Sequence, residues 1–170
     1  DAQESRGLGD VYKRQPYEGE TNVLHYLEVL RDEVGFDEIK KKVVNPLTGK
    51  KIGAYYGCLL LRPGKIMAFD NPENPTIMED FIRALGAEPV VYPYRNECCG
   101  GYISLKEKEM AQNMCEKIMD SAKGFEADML ITACPLCMYN LKKNGNGDLP
   151  VYYFTELLAE ALGVKEEVAK

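Results

Sequence analysis

The spacing of the cysteines constrains the fold of this chain more than any other feature of its sequence. Five of the six cysteines form three short groups that lie far apart along the chain. The groups are Cys58, the pair Cys98-Cys99 followed by Gly100, and Cys134-Pro135-Leu136-Cys137. If these thiols act together, the fold must bring three distant segments to one place.

The length and charge of the chain argue against several classes of protein. A chain of 170 residues is long enough for one domain with a substantial core and does not need disulfides to fold. Its 21 basic and 27 acidic residues give a formal charge of -6, and there is no basic run that would indicate a nucleic-acid partner. We also expect no membrane span, since no apolar stretch is long enough. These features predict a soluble cytoplasmic protein, in which clustered cysteines bind metal or carry out redox chemistry.

The chain is expected to divide into a short first segment and one larger domain. Residues 1–20 are polar, contain glycine and proline, and show no periodic apolar pattern, which predicts a disordered lead-in. Within them, residues 5–15 (SRGLGDVYKRQ) resemble a translated sequencing-adaptor read, so we expect this segment not to be native. Residues 21–170 are predicted to form a single cysteine-rich domain.

Apolar periodicity predicts helices and strands in alternation. A first helix is predicted from Thr21 to the glycine at position 35, because its apolar residues recur at helical spacing. The further predicted elements are a strand over 51–57, a helix over 77–85, a strand over 88–92, a helix over 104–123, a strand over 128–133, a short helix to 143, a strand over 151–154 and a helix over 155–162. This alternation predicts an α/β fold with a Rossmann-like parallel sheet of about four strands and helices on both faces.

Each cysteine group follows the end of a predicted strand. Cys58 comes directly after the first strand, and Cys134 comes directly after the third. Cys98 and Cys99 follow the second strand after a turn at Pro93. The carboxyl ends of parallel strands meet at one edge of a sheet, which is where such folds bind their ligands. We therefore expect the three groups to share one site.

The residues beside the cysteines suit reactive thiolates. The segment from Cys134 to Cys137 begins a predicted helix, whose unpaired N–H groups and dipole favour a thiolate over a thiol. Gly100 and Gly101 allow a tight turn that directs both neighbouring thiols to one centre. The thiolate is the form that ligates a metal or attacks a disulfide.

Three kinds of site are compatible with these thiols. A structural zinc site takes four ligands, one fewer than the five thiols present. A thioredoxin-like exchange centre takes a single C-x-x-C pair and leaves three cysteines unexplained. A cubane iron–sulfur cluster takes four thiolates. Five thiols therefore indicate either a spare, exchange-labile thiol or an unusual cluster.

These motifs give the chain a family resemblance. It resembles the cysteine-rich CCG domain found in the B subunit of heterodisulfide reductase, and specifically the second, C-terminal copy of that domain. The resemblance covers residues 22–162 and is carried by the segments Tyr55-Tyr56-Gly57-Cys58, Arg62-Pro63, Cys98-Cys99-Gly100-Gly101 and Ala133-Cys134-Pro135-Leu136-Cys137. The family often has histidine directly after the first cysteine, where this chain has Leu59. Since the family's catalytic polypeptide contains two such domains, the resemblance implies that this chain is half of a catalytic subunit.

The resemblance also implies a cofactor and partners. In the family the five matching cysteines hold a noncubane [4Fe-4S] cluster at which a disulfide substrate is cleaved. The ligands implied here are Cys58, Cys98, Cys99, Cys134 and Cys137. Electrons are expected from a ferredoxin-like iron–sulfur subunit, itself supplied by a flavin-containing reductase subunit. The alternatives are an electron-relay subunit of a lactate- or glycolate-oxidising or succinate/fumarate reductase complex, and a non-catalytic zinc-binding assembly module.

The other chemically active side chains are assigned structural roles. Cys115 lies on an apolar helical face, so we predict a buried residue and not a ligand. His25 lies on the polar side of the first predicted helix and is predicted to be a solvated surface residue. Arg62 and Arg95 are predicted to form surface salt links, with the binding of an anionic substrate as the alternative. Four tyrosines near the strand ends are expected either to shield a cluster from water or to pack in the sheet, namely Tyr55, Tyr56, Tyr92 and Tyr94.

Overall fold

The structure, a computed structural model, describes residue 21 and residues 23–164. The lead-in predicted for residues 1–20 lies outside this part of the chain. The strands are β1 (Lys51–Tyr55), β2 (Glu88–Val90), β3 (Met129–Thr132) and β4 (Val151–Tyr153). The α-helices are α1 (Tyr26–Val29), α2 (Phe36–Lys42), α3 (Gly64–Met67), α4 (Ile77–Ala84), α5 (Lys108–Gly124), α6 (Pro135–Asn144) and α7 (Phe154–Ala161).

Within the described residues the strands form one parallel sheet in the order β2-β1-β3-β4. Strand β1 pairs with β2 and β3, and β3 pairs with β4, so every strand ends at the same edge. The α/β, Rossmann-like fold predicted from the sequence is confirmed. It also places the residues that follow β1 and β3 side by side, as expected at the carboxyl edge of a parallel sheet.

Successive strand residues point to opposite sides of the sheet. Since both faces carry apolar side chains, helices cover both of them. Ile52 and Ala54 of β1 pack into one buried cluster with residues of α1, α4 and α7. Tyr55 points to the other side, into a second buried cluster with residues of α5 and α6. Of the helices that the structure describes, none is long and apolar enough to span a membrane.

The first helix begins later than the sequence predicted. It starts at Tyr26 instead of Thr21, and Val23 is 86% exposed. His25 is the N-cap, because its side chain accepts a hydrogen bond from the Leu27 N–H. Glu28 accepts a hydrogen bond from the His25 N–H at 2.8 Å and completes a capping box. After α1 the chain continues as a π-helical turn, Leu30–Val34.

Two further differences concern weakly patterned segments. Helix α5 begins at Lys108, and Ser104 instead donates a hydrogen bond to the Gly101 carbonyl at 2.9 Å, within a turn. Helices α2 and α3 were not predicted. Ile39 is the one buried residue of α2, and α3 has no buried residue, so neither presents an apolar stripe in the sequence.

Candidate thiol site

The strand ends bring the five predicted site cysteines to one pocket. Beyond β1 the chain turns through Gly57 into Cys58, and beyond β3 it enters α6 with Cys134 as the N-cap. The pocket has a volume of about 60 Å³ and is lined by all five thiols. Its other lining residues are Tyr56, Leu59, Leu60, Gly101, Tyr102 and Leu136. Its walls are therefore mostly apolar apart from sulfur.

The thiols form two close pairs with different exposure. Cys58 Sγ lies 3.8 Å from Cys98 Sγ, and both residues are partly exposed; we call them the outer pair. Cys99 Sγ lies 3.7 Å from Cys137 Sγ, and these residues are only 3% and 6% exposed; we call them the inner pair. Cys134 is partly exposed. In the part of the chain that the structure describes, no group of three or more His, Cys, Asp and Glu side chains is arranged to hold a single metal ion.

The pKa values of the inner thiols and of Cys134 shift in different directions. A hydrogen bond with Cys137, followed by the nearby donors of Asn140 and Gly101, lowers the pKa of Cys99 to about 6 against the effect of burial. A hydrogen bond with Cys137, followed by the N–H groups at the start of α6, lowers the pKa of Cys134 to about 6. Hydrogen bonds with Cys134 and Cys99, together with burial, raise the pKa of Cys137. Cys137 therefore keeps the proton, and Cys99 and Cys134 favour the thiolate that binds metal.

Cys58, in the outer pair, behaves differently. Burial, followed by the interaction with Cys98, raises the pKa of Cys58. The Cys98 thiol lies 3.3 Å from the Gly100 N–H, which donates to it. The outer thiols therefore contact each other and the local turn at Gly100. The inner thiols also contact buried side chains.

Gly57 leaves room for sulfur beside the backbone. Its φ of 68° lies in the left-handed region that favours glycine. A Cβ at this position would lie 2.9 Å from Cys137 Sγ, closer than such contacts allow. A side chain here would push against an inner thiol, so the backbone path fits a site crowded with sulfur.

Three consecutive carbonyls tie the loop before Cys98 to the segment around Cys58. The Arg95 carbonyl accepts from the Tyr56 N–H at 2.8 Å. The Asn96 carbonyl accepts from Arg62 Nη1 at 3.2 Å, and the Glu97 carbonyl accepts from the Tyr55 hydroxyl at 2.7 Å. These contacts hold together the two segments that carry the outer pair.

The predicted surface salt link of Arg95 is wrong. Arg95 is 6% exposed and forms a buried ion pair with Glu79, and its Nη1 also donates to the Pro75 carbonyl at 2.8 Å. Its guanidinium lies over the Tyr56 ring, 5.9 Å from the centroid. Burial raises the pKa of Glu79, an effect opposed by the hydrogen bond from Tyr56 and the charge of Arg95. Sequence separation hides this pair, because its partners meet only in the folded chain.

Arg62 fits the predicted surface link more closely. Its side chain is 41% exposed, and Nη2 lies 4.0 Å from a Glu73 carboxylate oxygen. The predicted tyrosines also differ among themselves, since Tyr55, Tyr56 and Tyr92 are buried whereas Tyr94 is exposed. Tyr56 lines the thiol pocket, and Tyr55 lies beside Cys99.

The prediction of a solvated His25 is also wrong. His25 is partly buried, and its ring packs edge-on against Phe69 with centroids 5.4 Å apart. Because Nδ1 accepts from the Leu27 N–H, Nε2 carries the hydrogen and donates to the Ala133 carbonyl at 3.1 Å. His25 thus contacts the residue that precedes Cys134. Histidine is not among the residue types favoured at an N-cap, so only Glu28, three residues later, matches the sequence pattern of a capping box.

Cys115 and Asn140 lie directly behind Cys99. Cys115 is fully buried, as predicted, and its Sγ lies 3.3 Å from the Cys99 carbonyl oxygen. Asn140 was not predicted, and its Nδ2 donates to the same carbonyl at 2.6 Å. Its position three residues after Cys137 places both on one face of α6, which is the sequence signal for its role.

Comparisons with known proteins show which family the chain belongs to. The family model described as "Cysteine-rich domain" (CCG) matches residues 52–142. The chain is 34% identical to the 8-methylmenaquinol:fumarate reductase membrane anchor subunit of Wolinella succinogenes, over 87% of this chain and 55% of the relative. It is 28% identical to the B subunit of the ferredoxin/F(420)H(2)-dependent CoB-CoM heterodisulfide reductase of Methanosarcina acetivorans, over 86% and 52%.

A protein of Archaeoglobus profundus that is named as similar to the heterodisulfide reductase B subunit is also 28% identical, over 94% of this chain and 57% of the relative. The chain thus spans about half the length of the curated relatives it matches. The family match covers more than half of the chain and includes all five cysteines of the pocket. The chain therefore belongs to the CCG cysteine-rich domain family.

Proposed function

We propose that this chain is an iron–sulfur oxidoreductase subunit whose cluster is held by Cys58, Cys98, Cys99, Cys134 and Cys137. The observation that carries the proposal is the convergence of five free thiols on one pocket at the carboxyl edge of a parallel sheet. The relatives are named as subunits of heterodisulfide and fumarate reductases, which supports an iron–sulfur redox subunit.

The donor set suits iron and sulfide. Thiolates are the ligands of iron–sulfur clusters, and Cys99 and Cys134 favour the thiolate before any metal binds. Five thiols exceed the four that a cubane takes, which supports the noncubane [4Fe-4S] type. Such a cluster supplies reversible electron transfer when bound. The apolar walls of the pocket and the buried inner pair keep water away from that part of the site.

The proposed substrate is a disulfide. Its reduction consumes two electrons and two protons, breaks the S–S bond and yields two thiols. The outer pair is partly exposed, and Leu59, Tyr102 and Leu136 are exposed apolar side chains that line the same pocket. These apolar side chains would bind the uncharged part of a disulfide and leave its sulfur atoms at the outer pair. The protons would come from solvent at this exposed side.

The proposal includes partners, since the relatives are subunits of reductases. Electrons would come from a ferredoxin-like iron–sulfur subunit, which a flavin-containing reductase subunit supplies. The cytoplasm is the proposed location. The domain organisation, with one cysteine-rich domain over residues 21–170, is part of the same proposal.

One observation favours a second candidate. The relative with 34% identity is a membrane anchor subunit of a quinol:fumarate reductase, so this chain is alternatively an electron relay in such a complex. The site chemistry would be the same in both cases. What differs is the molecule that exchanges electrons with the thiol site.

The two candidates differ in what reoxidises the reduced protein. The protein would be prepared without oxygen, reduced, freed of reductant and mixed with CoB-CoM heterodisulfide or with 8-methylmenaquinone, while its absorbance is followed. The disulfide reaction predicts loss of the reduced spectrum together with two thiols for each disulfide consumed. Reoxidation by the quinone alone, with no thiol formed, would favour the relay and contradict the disulfide reaction.

A further inference from the structure

Asn140 is a buried polar side chain that the proposed reaction leaves without a role. It is 0% exposed, and its Nδ2 donates to the Cys99 carbonyl at 2.6 Å. Its Oδ1 accepts a hydrogen bond from Asn144 Nδ2 at 2.6 Å. Because a carbonyl only accepts hydrogen bonds, the amide must turn its NH2 group towards Cys99. Asn144 holds it in that orientation.

Cys115 adds a second donor at the same carbonyl. Its Sγ lies 3.3 Å from the Cys99 carbonyl oxygen and 3.4 Å from Asn140 Nδ2. Both side chains therefore contact the carbonyl of Cys99, whose thiol lines the pocket.

This contact links the two members of the inner pair. Cys137 and Asn140 are one helical turn apart on α6, and both reach Cys99. A rotation of α6 would therefore move one inner thiol and the support of the other together.

We propose that Asn140, oriented by Asn144 and assisted by Cys115, is a positioning residue that sets the reduction potential of the group bound at the inner pair. The inference rests on the proposed function, since it requires a redox group at these thiols. Reduction adds negative charge to the cluster and its thiolate ligands. Donors directed at Cys99 stabilise that charge, so removing them lowers the potential.

The test is a redox titration of Asn140→Leu, monitored by electron paramagnetic resonance. Leucine is close to asparagine in size and branching, carries no charge and has no N–H to donate. We expect the equilibrium constant for reduction to fall about tenfold, equivalent to about 59 mV for one electron. Tyr139→Phe is the matched control, because Tyr139 is an exposed neighbour whose hydroxyl accepts from Lys143. Its potential should equal that of the unaltered protein.

A second variant keeps the inference testable if Asn140→Leu does not fold. Cys115→Ala removes the S–H donor together with a buried sulfur atom, and should lower the potential in the same direction by a smaller amount. Full iron content with an unchanged potential in the folded variants would overturn the inference. Unaltered protein without iron and sulfide would instead overturn the proposed function, so the two failures are distinguishable.

Discussion

The inner and outer thiol pairs lie at the same edge of the sheet but differ in what surrounds them. Cys99 and Cys137 belong to a buried apolar cluster that includes Tyr55 and Cys115. Cys58 and Cys98 are partly exposed and are held by contacts between two loops. The fold thus supports the inner pair through its core and the outer pair through carbonyl contacts at its surface.

This difference suggests that the inner pair holds the cluster and that the outer pair meets the substrate. A buried pair is suited to hold a cluster firmly, because the surrounding core fixes its geometry. A partly exposed pair is suited to meet a substrate, because solvent and small molecules can reach it. Four predictions test this comparison, and the largest effect is expected when a thiol itself is removed.

Replacing one thiol of either pair should abolish cluster assembly. Cys99→Ser removes an inner ligand, and Cys98→Ser removes an outer one. Both variants should lose nearly all iron and acid-labile sulfide, because serine oxygen is a poor substitute for thiolate in such clusters. Cys115→Ser is the control and should retain both. A thiol variant with unchanged iron and sulfide would not be missing a ligand, and that cysteine would leave the proposed set.

Breaking the buried ion pair should destabilise the loop that carries the outer pair. Arg95→Ala leaves Glu79 buried without its cation, and removing one member of a buried pair costs about 3–5 kcal/mol. Urea denaturation would measure this as a lower free energy of unfolding. Arg83→Ala is the control, because Arg83 pairs with Asp80 at the surface, and little change is expected. Equal stability of the two variants would contradict the assigned role of Arg95.

A side chain at Gly57 should disturb the inner pair from the backbone side. Gly57→Ala adds a Cβ 2.9 Å from Cys137 Sγ in a left-handed backbone conformation. We expect a loss of about 1–2 kcal/mol in stability, together with a lower iron content per chain. Gly124→Ala should change neither quantity adversely, because a Cβ there meets nothing within 4 Å. Full iron content in Gly57→Ala would show that the close approach is not needed.

The smallest effect is expected at Tyr55, which touches both regions. Tyr55→Phe removes the hydrogen bond to the Glu97 carbonyl while keeping the ring in the buried cluster. Thermal unfolding should show a loss of about 0.5–1.5 kcal/mol, the usual contribution of one hydrogen bond. Tyr94→Phe, at an exposed position, should leave the melting temperature unchanged. A Tyr55→Phe variant as stable as the unaltered protein would show that this contact does not stabilise the outer pair.

The sheet and the location of the cysteines were predictable because both depend on local pattern. The alternating and helical periods predict β1, β3 and α4, and a glycine or a cysteine group closely follows each of these elements. A helix without an apolar stripe, such as α2, gave no comparable signal.

The supports of the site were not predictable for a different reason. Arg95 and Glu79 are ordinary surface residue types until the fold buries them together. His25 was assigned to a helical face because the helix was predicted too early, whereas it caps that helix and contacts Ala133. The spacing of Asn140 to Cys137 indicates a contact with Cys99 only when the packing of Cys99 against α6 is known.

The most direct test of the central claim is the iron, zinc and acid-labile sulfide content of protein prepared without oxygen. The proposed function predicts about four irons and about four sulfides for each chain, together with a coloured protein. About one zinc for each chain, with no sulfide, would contradict it and leave a structural metal site in place of a redox centre.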